Sequence, residues 1–242
     1  MGRMIHNILC NEKECKYVGI VPKGKFCTLN CPLDELVNLK LREKGCCFMG
    51  NTIDYYNENA KKFIDGTVAV DFKHIQDAFL ELLPKHAAIL DFGCGSGRDT
   101  KYFLEQGCRV DAMDGSLELC KAASEYTGIN VKHMLFQELN EKEKYDGIWA
   151  CASILHVKKE ELPEIIRKMS LAAKANGIIY LSFKYGDFEG ERNDRYFTDM
   201  TEESMAELLA DFPEFTVEKQ WITGDVRVGR GDERWLNMIL RK

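Results

Sequence analysis

The feature that most constrains the fold is a regular change of hydrophobic period along the chain, which begins at about residue 54. Apolar residues recur every three or four positions over 54–64 and 75–83, and this spacing predicts amphipathic helices. A short apolar run at 87–92 is stopped by glycines, as expected of a buried parallel strand. Further predicted helices are 99–106, 117–126, 160–174 and 202–210, and further strands are 109–113, 131–136, 145–151, 178–183, 216–223 and 233–240.

Strands that alternate with helices predict an α/β fold, a doubly wound, mainly parallel seven-stranded sheet of Rossmann-like type covered on both faces. Pro163 fits the first turn of the predicted helix 160–174. Gly177 is expected to cap that helix and to open the fifth strand, 178–183. The first 50 residues lack this alternation apart from one helix-like stretch at 33–41. We therefore predict two units, a cysteine-rich module at 1–50 and a larger domain at 51–242.

Composition limits the classes of partner. Hydrophobic residues make up 45% and charged residues 30% of the chain, and no apolar run is long enough to cross a membrane. The N-terminus also lacks a signal-peptide pattern, so a cytoplasmic location is expected. Residues 1–50 hold eight Lys and Arg against five Asp and Glu, whereas the remainder holds 25 against 34. The acidic larger part argues against tight nucleic-acid binding, which depends on Lys and Arg, but the basic first part leaves RNA open.

The loop 91–97, Asp-Phe-Gly-Cys-Gly-Ser-Gly, joins a predicted strand to a predicted helix. Glycines there let the backbone turn sharply and approach a ligand without a Cβ atom in the way. A dinucleotide fingerprint needs glycine at the sixth position, but Arg98 stands there and Gly97 comes one residue early. The carboxylate of Asp91 before the loop repels a pyrophosphate and suits a ligand that carries an amino group.

A second acid supports this interpretation. Asp114 follows the second strand, where a nucleotide-binding α/β fold places a carboxylate that accepts hydrogen bonds from ribose hydroxyls. The alternative is that Asp114 only caps the helix that begins near Ser116.

The run Ile89–Gly97 resembles motif I of class I S-adenosylmethionine-dependent methyltransferases, and the chain from Tyr55 onward is similar to their small tellurite-resistance-like members. The resemblance implies a methyltransferase with S-adenosylmethionine as cofactor. It places Asp91, Gly93 and Gly95 on the methionine and ribose part of the cofactor, with Asp114 on the ribose. It places Gln137 and Glu138 at the adenine and Tyr55 and Tyr56 on an N-terminal helix that closes over the cofactor. Ala150, at the end of the fourth strand, completes the predicted cofactor set.

The acceptor side is predicted from the edge of the sheet, because ligands bind at the carboxyl ends of parallel strands. The fourth strand leads into Ser153 and His156, which are expected near the transferred methyl group as catalytic candidates. His156 is the candidate for orienting or deprotonating the acceptor. The alternative is a packed, hydrogen-bonded core histidine.

Two long loops, 184–197 and 225–235, are expected to border the acceptor, since long loops are commonly functional. Their cations are predicted to form a pocket for a small anionic substrate, unless they are solvated or paired with nearby acids. The predicted substrate-binding residues are Lys184, Arg192, Arg195, Arg227 and Arg230.

Six of the ten cysteines lie within the first 47 residues. The spacing of Cys10, Cys15, Cys27 and Cys31 is near that of a tetrahedral zinc site, and free thiols are the alternative. Three functions follow: methylation of a small molecule, methylation of RNA held by the cysteine-rich head, and a non-catalytic cofactor or metal sensor. The overall acidity and the motif set favour the first.

Overall fold

The computed structural model describes residues 47–227 and 229–242, with side chains from Thr52 onward. The helices of this part are α1 (Cys47–Glu58), α2 (Ala60–Asp65), α3 (Lys73–Leu80), α4 (Arg98–Glu105), α5 (Leu117–Thr127), α6 (Leu162–Ala172) and α7 (Glu202–Leu209). The strands are β1 (Ala88–Phe92), β2 (Arg109–Asp114), β3 (Lys132–His133), β4 (Tyr145–Ala150), β5 (Ala173–Lys184), β6 (Glu189–Arg192), β7 (Arg195–Thr198), β8 (Thr216–Gly224) and β9 (Arg234–Arg241).

Seven of the described strands form one sheet in the order β3-β2-β1-β4-β5-β9-β8. The four pairings among β3, β2, β1, β4 and β5 are parallel, and β9 pairs antiparallel with both β5 and β8. The prediction of a doubly wound, mainly parallel seven-stranded sheet is therefore confirmed. The order reverses direction between β1 and β4, which opens a crevice at the carboxyl ends of these two strands.

Side chains of the central strands alternate between two apolar layers, as the period of an extended strand requires. In β5, Ile179 and Leu181 belong to the larger layer, and Tyr180 belongs to the other, where it stacks on Trp149 with ring centroids 4.0 Å apart. Helix α6 covers the larger layer because its buried residues recur at helical spacing, Leu162, Ile165, Ile166 and Met169. Helices α3 and α4 contribute to the opposite layer.

The structure differs from the sequence prediction in four segments. The predicted helix 54–64 is divided between α1, which ends at Glu58, and α2, which begins at Ala60. Helix α6 ends at Ala172 and β5 begins at Ala173, so Gly177 lies inside the strand and does not cap the helix. The helix does not continue into this segment, because Ala173 pairs with Tyr145 of β4 and is held in the sheet. The predicted loop 184–197 contains the hairpin β6–β7, and the predicted strand 131–136 shortens to Lys132–His133.

The cysteine-rich module, with the predicted zinc ligands Cys10, Cys15, Cys27 and Cys31, lies outside the described residues. Helix α1 runs through residue 50, where the sequence predicts the boundary between the two units, and that boundary stays a prediction. None of the described helices is long and apolar enough to cross a membrane.

Candidate functional site

The glycine loop between β1 and α4 holds three glycines with positive φ, at +90° for Gly93, +54° for Gly95 and +78° for Gly97. A Cβ atom on Gly93 would lie 2.5 Å from the Cβ atom of Ser153, so the loop could not pack against the segment after β4. A Cβ atom on Gly95 would instead meet the edge of the Phe63 ring at 3.0 Å. The loop therefore presents backbone without side chains toward α2, where Phe63 packs directly against Gly95.

Asp114, at the end of β2, is tied to this loop. Its carboxylate accepts hydrogen bonds from the backbone N–H of Gly95 at 2.9 Å and of Ser116 at 2.8 Å. The helix cap itself is Ser116, whose hydroxyl accepts from the N–H of Leu119 at 3.2 Å. Burial raises the pKa of Asp114 although these N–H groups oppose the shift. The carboxylate thus sits at the edge of the glycine loop with lone pairs left for a ligand hydroxyl.

Asp91 is buried beneath the loop and accepts a hydrogen bond from the Thr100 hydroxyl at 2.5 Å. Burial, and next the neighbouring Asp99 carboxylate, raise the pKa of Asp91 to about 8. Asp99 is itself held by a buried network that the sequence did not single out, in which Arg98 and the indole of Trp149 donate to it at 2.7 and 2.9 Å. A ligand ammonium group beside Asp91 would favour its ionised form.

The other predicted cofactor residues lie around the same edge of the sheet. Gln137 and Glu138 form a short 3-10 turn, in which the Glu138 carboxylate accepts from the N–H of Leu135 at 2.7 Å. Ala150 is fully buried at the end of β4. The hydroxyl of Ser153 donates to the Phe92 carbonyl at 2.6 Å, so this catalytic candidate ties the end of β1 to the segment after β4. The cofactor-binding and catalytic roles of these residues stay predictions.

Helix α1 crosses this edge and is called the cap helix below. Its Thr52 hydroxyl accepts from the N–H of Tyr196 in β7 at 2.9 Å. At the other end, the Asn57 side-chain oxygen accepts from the hydroxyl of Ser116 at 2.7 Å. The cap helix therefore bridges the start of α5 and the hairpin β6–β7. Sequence reasoning missed Thr52 and Asn57, although both are polar residues on a predicted amphipathic segment or beside it.

His156 lies under the cap helix and is 9% exposed. One ring nitrogen, Nδ1, is 2.6 Å from the Tyr196 carbonyl oxygen, which can only accept, so Nδ1 carries the proton. Nε2 then accepts from the Tyr56 hydroxyl at 2.9 Å. Burial, chiefly, lowers the pKa of His156 to about 4, so the ring is neutral at neutral pH. The structure thus joins Tyr56 of the predicted cofactor set and His156 of the predicted catalytic set by a hydrogen bond.

The five predicted anion-binding cations do not form one group. Four of them have carboxylate partners: Lys184 with Glu233, Arg192 with Asp199, Arg227 with Asp225, and Arg230 with Glu233. Three of the five, Arg195, Arg227 and Arg230, line one cavity together with Lys62, which the sequence did not single out. Lys184 and Arg192 are not among the described residues that line it. Arg195 also reaches the cap helix, since its Nη1 lies 3.4 Å from the Tyr56 hydroxyl oxygen.

Within the described part of the chain, no group of three or more His, Cys, Asp or Glu side chains is placed to hold a metal ion. The zinc prediction concerns four cysteines outside that part and stays a prediction.

Comparison with known proteins gives a consistent assignment for the middle of the chain. Residues 89–177 match a family described as a methyltransferase domain, which confirms the prediction of such a domain there. The matched stretch contains the glycine loop, Asp114 and His156. Among curated proteins, the chain is 33% identical over 84 residues to a malonyl-acyl-carrier-protein O-methyltransferase of Salmonella typhimurium, covering 32% of this chain. It is 28% identical over 94 residues to a probable S-adenosyl-L-methionine-dependent methyltransferase, TehB, of Haemophilus influenzae, covering 37% of this chain.

The chain spans about a third of the length of these two relatives, 33% in each case. Among solved structures, it resembles the 1,6-didemethyltoxoflavin-N1-methyltransferase of Burkholderia thailandensis with a TM-score of 0.63 and 23% identity. That likeness covers 90% of this chain and 93% of the other. The fold is therefore that of class I methyltransferases.

Proposed function

We propose that this protein transfers a methyl group from S-adenosylmethionine to a small-molecule acceptor. The observation that carries the proposal is the glycine loop, in which Gly95 packs against Phe63 of α2 with no side chain between them and donates its N–H to the Asp114 carboxylate. The loop lies within the stretch that matches a methyltransferase domain. A positively charged amino-acid sulfonium with a ribose suits this site, because it brings an ammonium group for Asp91 and hydroxyls for Asp114.

The residues present fit this cofactor, and each predicted contact has a place in the proposal. Asp91, Gly93 and Gly95 would hold the methionine and ribose part, and Asp114 the ribose hydroxyls. The remaining members of the predicted cofactor set would enclose the adenine and cover the site; they are Gln137, Glu138, Ala150, Tyr55 and Tyr56. When bound, the cofactor supplies an activated methyl carbon, which the acceptor atom attacks while the carbon–sulfur electrons pass to sulfur.

His156 and Tyr56 are proposed to orient the acceptor. A methyl donor that is already activated requires mainly alignment, which positioning alone can supply at several kcal/mol. The His156 ring is held by the Tyr196 carbonyl, and it directs the Tyr56 hydroxyl through Nε2. Because burial disfavours the imidazolium form of His156, orientation suits this residue better than deprotonation near pH 7. Ser153 is proposed to support this arrangement by holding the end of β1.

The relatives indicate how widely the acceptor varies. By their names, one is an O-methyltransferase of malonyl-acyl-carrier protein and the other an N1-methyltransferase of 1,6-didemethyltoxoflavin. The proposal therefore specifies the donor and the small size of the acceptor, and not the methylated atom. A cytoplasmic location, a zinc-binding head at residues 1–50 and RNA as the alternative acceptor rest on the sequence alone.

The test follows a labelled methyl group. S-adenosylmethionine with a labelled methyl is incubated with the purified full chain and a cell extract, which is then separated into small molecules, RNA and protein. The proposal predicts label in the small-molecule fraction. Label in RNA would support the alternative, and cofactor binding with no label in any fraction would support a sensor.

Two variants on β2 serve as test and control. Asp114→Asn should abolish labelling, because it removes the carboxylate that faces the ribose. Asp111→Asn should retain it, because Asp111 pairs with Lys144 at 2.8 Å and with Tyr145 at 2.9 Å, away from the glycine loop. Equal labelling by both variants would contradict the assigned site.

A further inference from the structure

Beside the glycine loop lies a cavity of about 640 Å³, which falls within the size range of small-molecule sites, roughly 300–1,000 Å³. Phe63 connects the two regions, because its ring faces Gly95 and also lines the cavity. The described lining residues with polar or aromatic side chains are Tyr55, Asn59, Lys62, Phe63, Thr67, Asp71, Arg195, Arg227 and Arg230.

The lining carries more positive than negative charge. Arg227 is neutralised by Asp225 through two hydrogen bonds, at 2.9 and 2.5 Å, and Arg230 lies 3.6 Å from Glu233. Lys62 and Arg195 have no carboxylate within 4 Å among the described residues. Asp71 is the one acid among the described lining residues. Among the described residues, Arg195 and the exposed Lys62 therefore line the cavity without a carboxylate partner.

Arg195 packs against two aromatic rings and has no carboxylate partner among the described residues. Its guanidinium carbon lies 4.5 Å from the ring centroid of Tyr55 and 5.1 Å from that of Phe197. Its Nε–H is buried and has no hydrogen-bond acceptor among the described residues. Buried donors of this kind usually have a partner, and a planar guanidinium is the group best suited to binding a carboxylate or phosphate. Because Nε itself is closed to solvent, an anionic ligand in the cavity would meet the other N–H groups of this guanidinium.

The position of Arg195 connects the cavity with the reaction centre. Its Nη1 is 3.4 Å from the Tyr56 hydroxyl, which donates to His156. A ligand bound to Arg195 therefore lies beside the two residues proposed to orient the methyl acceptor. The rings of Tyr55 and Phe63 offer apolar faces to the body of such a ligand.

We propose that the methyl acceptor is a small organic anion, with its carboxylate or phosphate bound by Arg195 and Lys62 and its apolar or aromatic body against Tyr55 and Phe63. This inference rests on the proposed function. Within the predicted set of five cations it selects Arg195 and adds Lys62, which lies on α2. The same two cations could bind another carboxylate, that of the cofactor's methionine part, and the experiment separates the two sources.

The experiment titrates benzoate, phenyl phosphate and neutral benzamide into the full chain, with and without saturating S-adenosylhomocysteine, by calorimetry. S-adenosylhomocysteine is titrated separately. The variants are Arg195→Met, Arg195→Lys and Lys62→Met. Lys61→Met is the matched control, because Lys61 is the neighbouring lysine, pairs with Asp65 and has an 88% exposed side chain. Circular dichroism melting checks that each variant folds.

We expect saturable binding of at least one anion, and binding of benzamide at least tenfold weaker. Lys62→Met and Arg195→Met should weaken anion binding about ten- to a hundredfold, because each removes a charge-assisted contact. Arg195→Lys should lose less, since it keeps the charge but not the planar fork. Lys61→Met should stay within about twofold of the wild type, and the affinity for S-adenosylhomocysteine should be unchanged in all variants.

Two results overturn the inference. The first is loss of S-adenosylhomocysteine affinity in Lys62→Met and Arg195→Met with anion binding intact, which assigns the cations to the cofactor carboxylate. The second is binding of benzamide as tight as that of the anions, or no saturable anion binding. Failure of S-adenosylhomocysteine to bind the wild type would instead contradict the proposed function. If Arg195→Met does not fold, the anion affinities of Lys62→Met and of its control Lys61→Met decide whether the inference holds.

Discussion

Replacement of Tyr56 by phenylalanine removes the hydroxyl that donates to His156 and leaves the ring contacts of the cap helix in place. The accepting Nε2 belongs to a ring that is 9% exposed and whose other nitrogen is committed to the Tyr196 carbonyl. A buried acceptor that loses its donor costs about 1–3 kcal/mol. The free energy of unfolding of Tyr56→Phe should fall by about this amount. In a chain of this size the midpoint of thermal unfolding should fall by roughly 2–12 °C.

The assay is unfolding in urea, followed by circular dichroism at pH 7.5, where His156 is neutral. The control is Tyr126→Phe, because Tyr126 is 45% exposed and its hydroxyl makes no hydrogen bond to the described residues. That variant should stay within about 0.5 kcal/mol of the wild type. A double-mutant cycle of Tyr56→Phe with His156→Phe should give a coupling energy of about 0.5–3 kcal/mol.

Equal stability of Tyr56→Phe and Tyr126→Phe would refute this reasoning, as would a coupling energy near zero. Either result would mean that His156 does not accept a hydrogen bond from the cap helix. The proposed orientation of the acceptor by Tyr56 and His156 would then lose its basis.

Three further predictions concern the loop, the buried histidine and the hairpin. Gly97→Ala should lower the free energy of unfolding by about 2–5 kcal/mol, because a Cβ atom at φ +78° would lie 2.9 Å from the Thr127 methyl. Gly95→Ala should also lose stability, since its φ is +54° and a Cβ atom would lie 3.0 Å from the Phe63 ring, and it should bind S-adenosylhomocysteine at least tenfold more weakly than the wild type; calorimetric binding equal to that of the wild type would contradict the assigned loop. The pKa of His156 is about 4 in the folded protein, so between about pH 6.5 and pH 4 the unfolded chain binds a proton that the folded protein does not. The contribution of His156 to the free energy of unfolding is therefore complete above about pH 6.5 and falls as the pH is lowered toward 4. The stability of the wild type relative to His156→Gln should therefore fall over this range, and a flat difference would contradict the buried neutral ring. Asp194→Gly should raise the hairpin's stability by about 0.5–1 kcal/mol, since Asp194 has φ 60° in a two-residue turn, and a decrease in urea unfolding would exclude this turn.

Much of the fold could be predicted because the parallel strands are buried on both faces and read as short apolar runs. The glycine loop and Asp114 could be placed for the same reason, since each follows directly from a strand end. The hairpin β6–β7 was missed, although Asn193 and Asp194, both with positive φ, form a two-residue turn typical of hairpins. Its strands carry charged residues and lack a continuous apolar pattern.

Long-range polar pairs could not be predicted, because sequence spacing carries no information on them. Tyr56 and His156 are 100 positions apart. The predicted anion pocket shows the same limit, since loop cations were grouped by the loops that hold them. The structure pairs Lys184 and Arg192 with acids and brings in Lys62 from a helix of the cap side. The cations of the two loops predicted an anion pocket, and only the fold could show which cations share a cavity.

The central claim is that the glycine loop and Asp114 bind S-adenosylmethionine, and calorimetric titration of this cofactor tests it most directly. The wild type and Asp111→Asn should bind with a dissociation constant on the order of 1–100 µM. Asp114→Asn should bind at least tenfold more weakly while circular dichroism shows that it is still folded at the temperature of the titration; its midpoint in urea should fall, because the amide can accept only one of the two backbone N–H bonds. Absence of binding by the folded wild type, or equal affinity of Asp114→Asn and Asp111→Asn, would contradict the account.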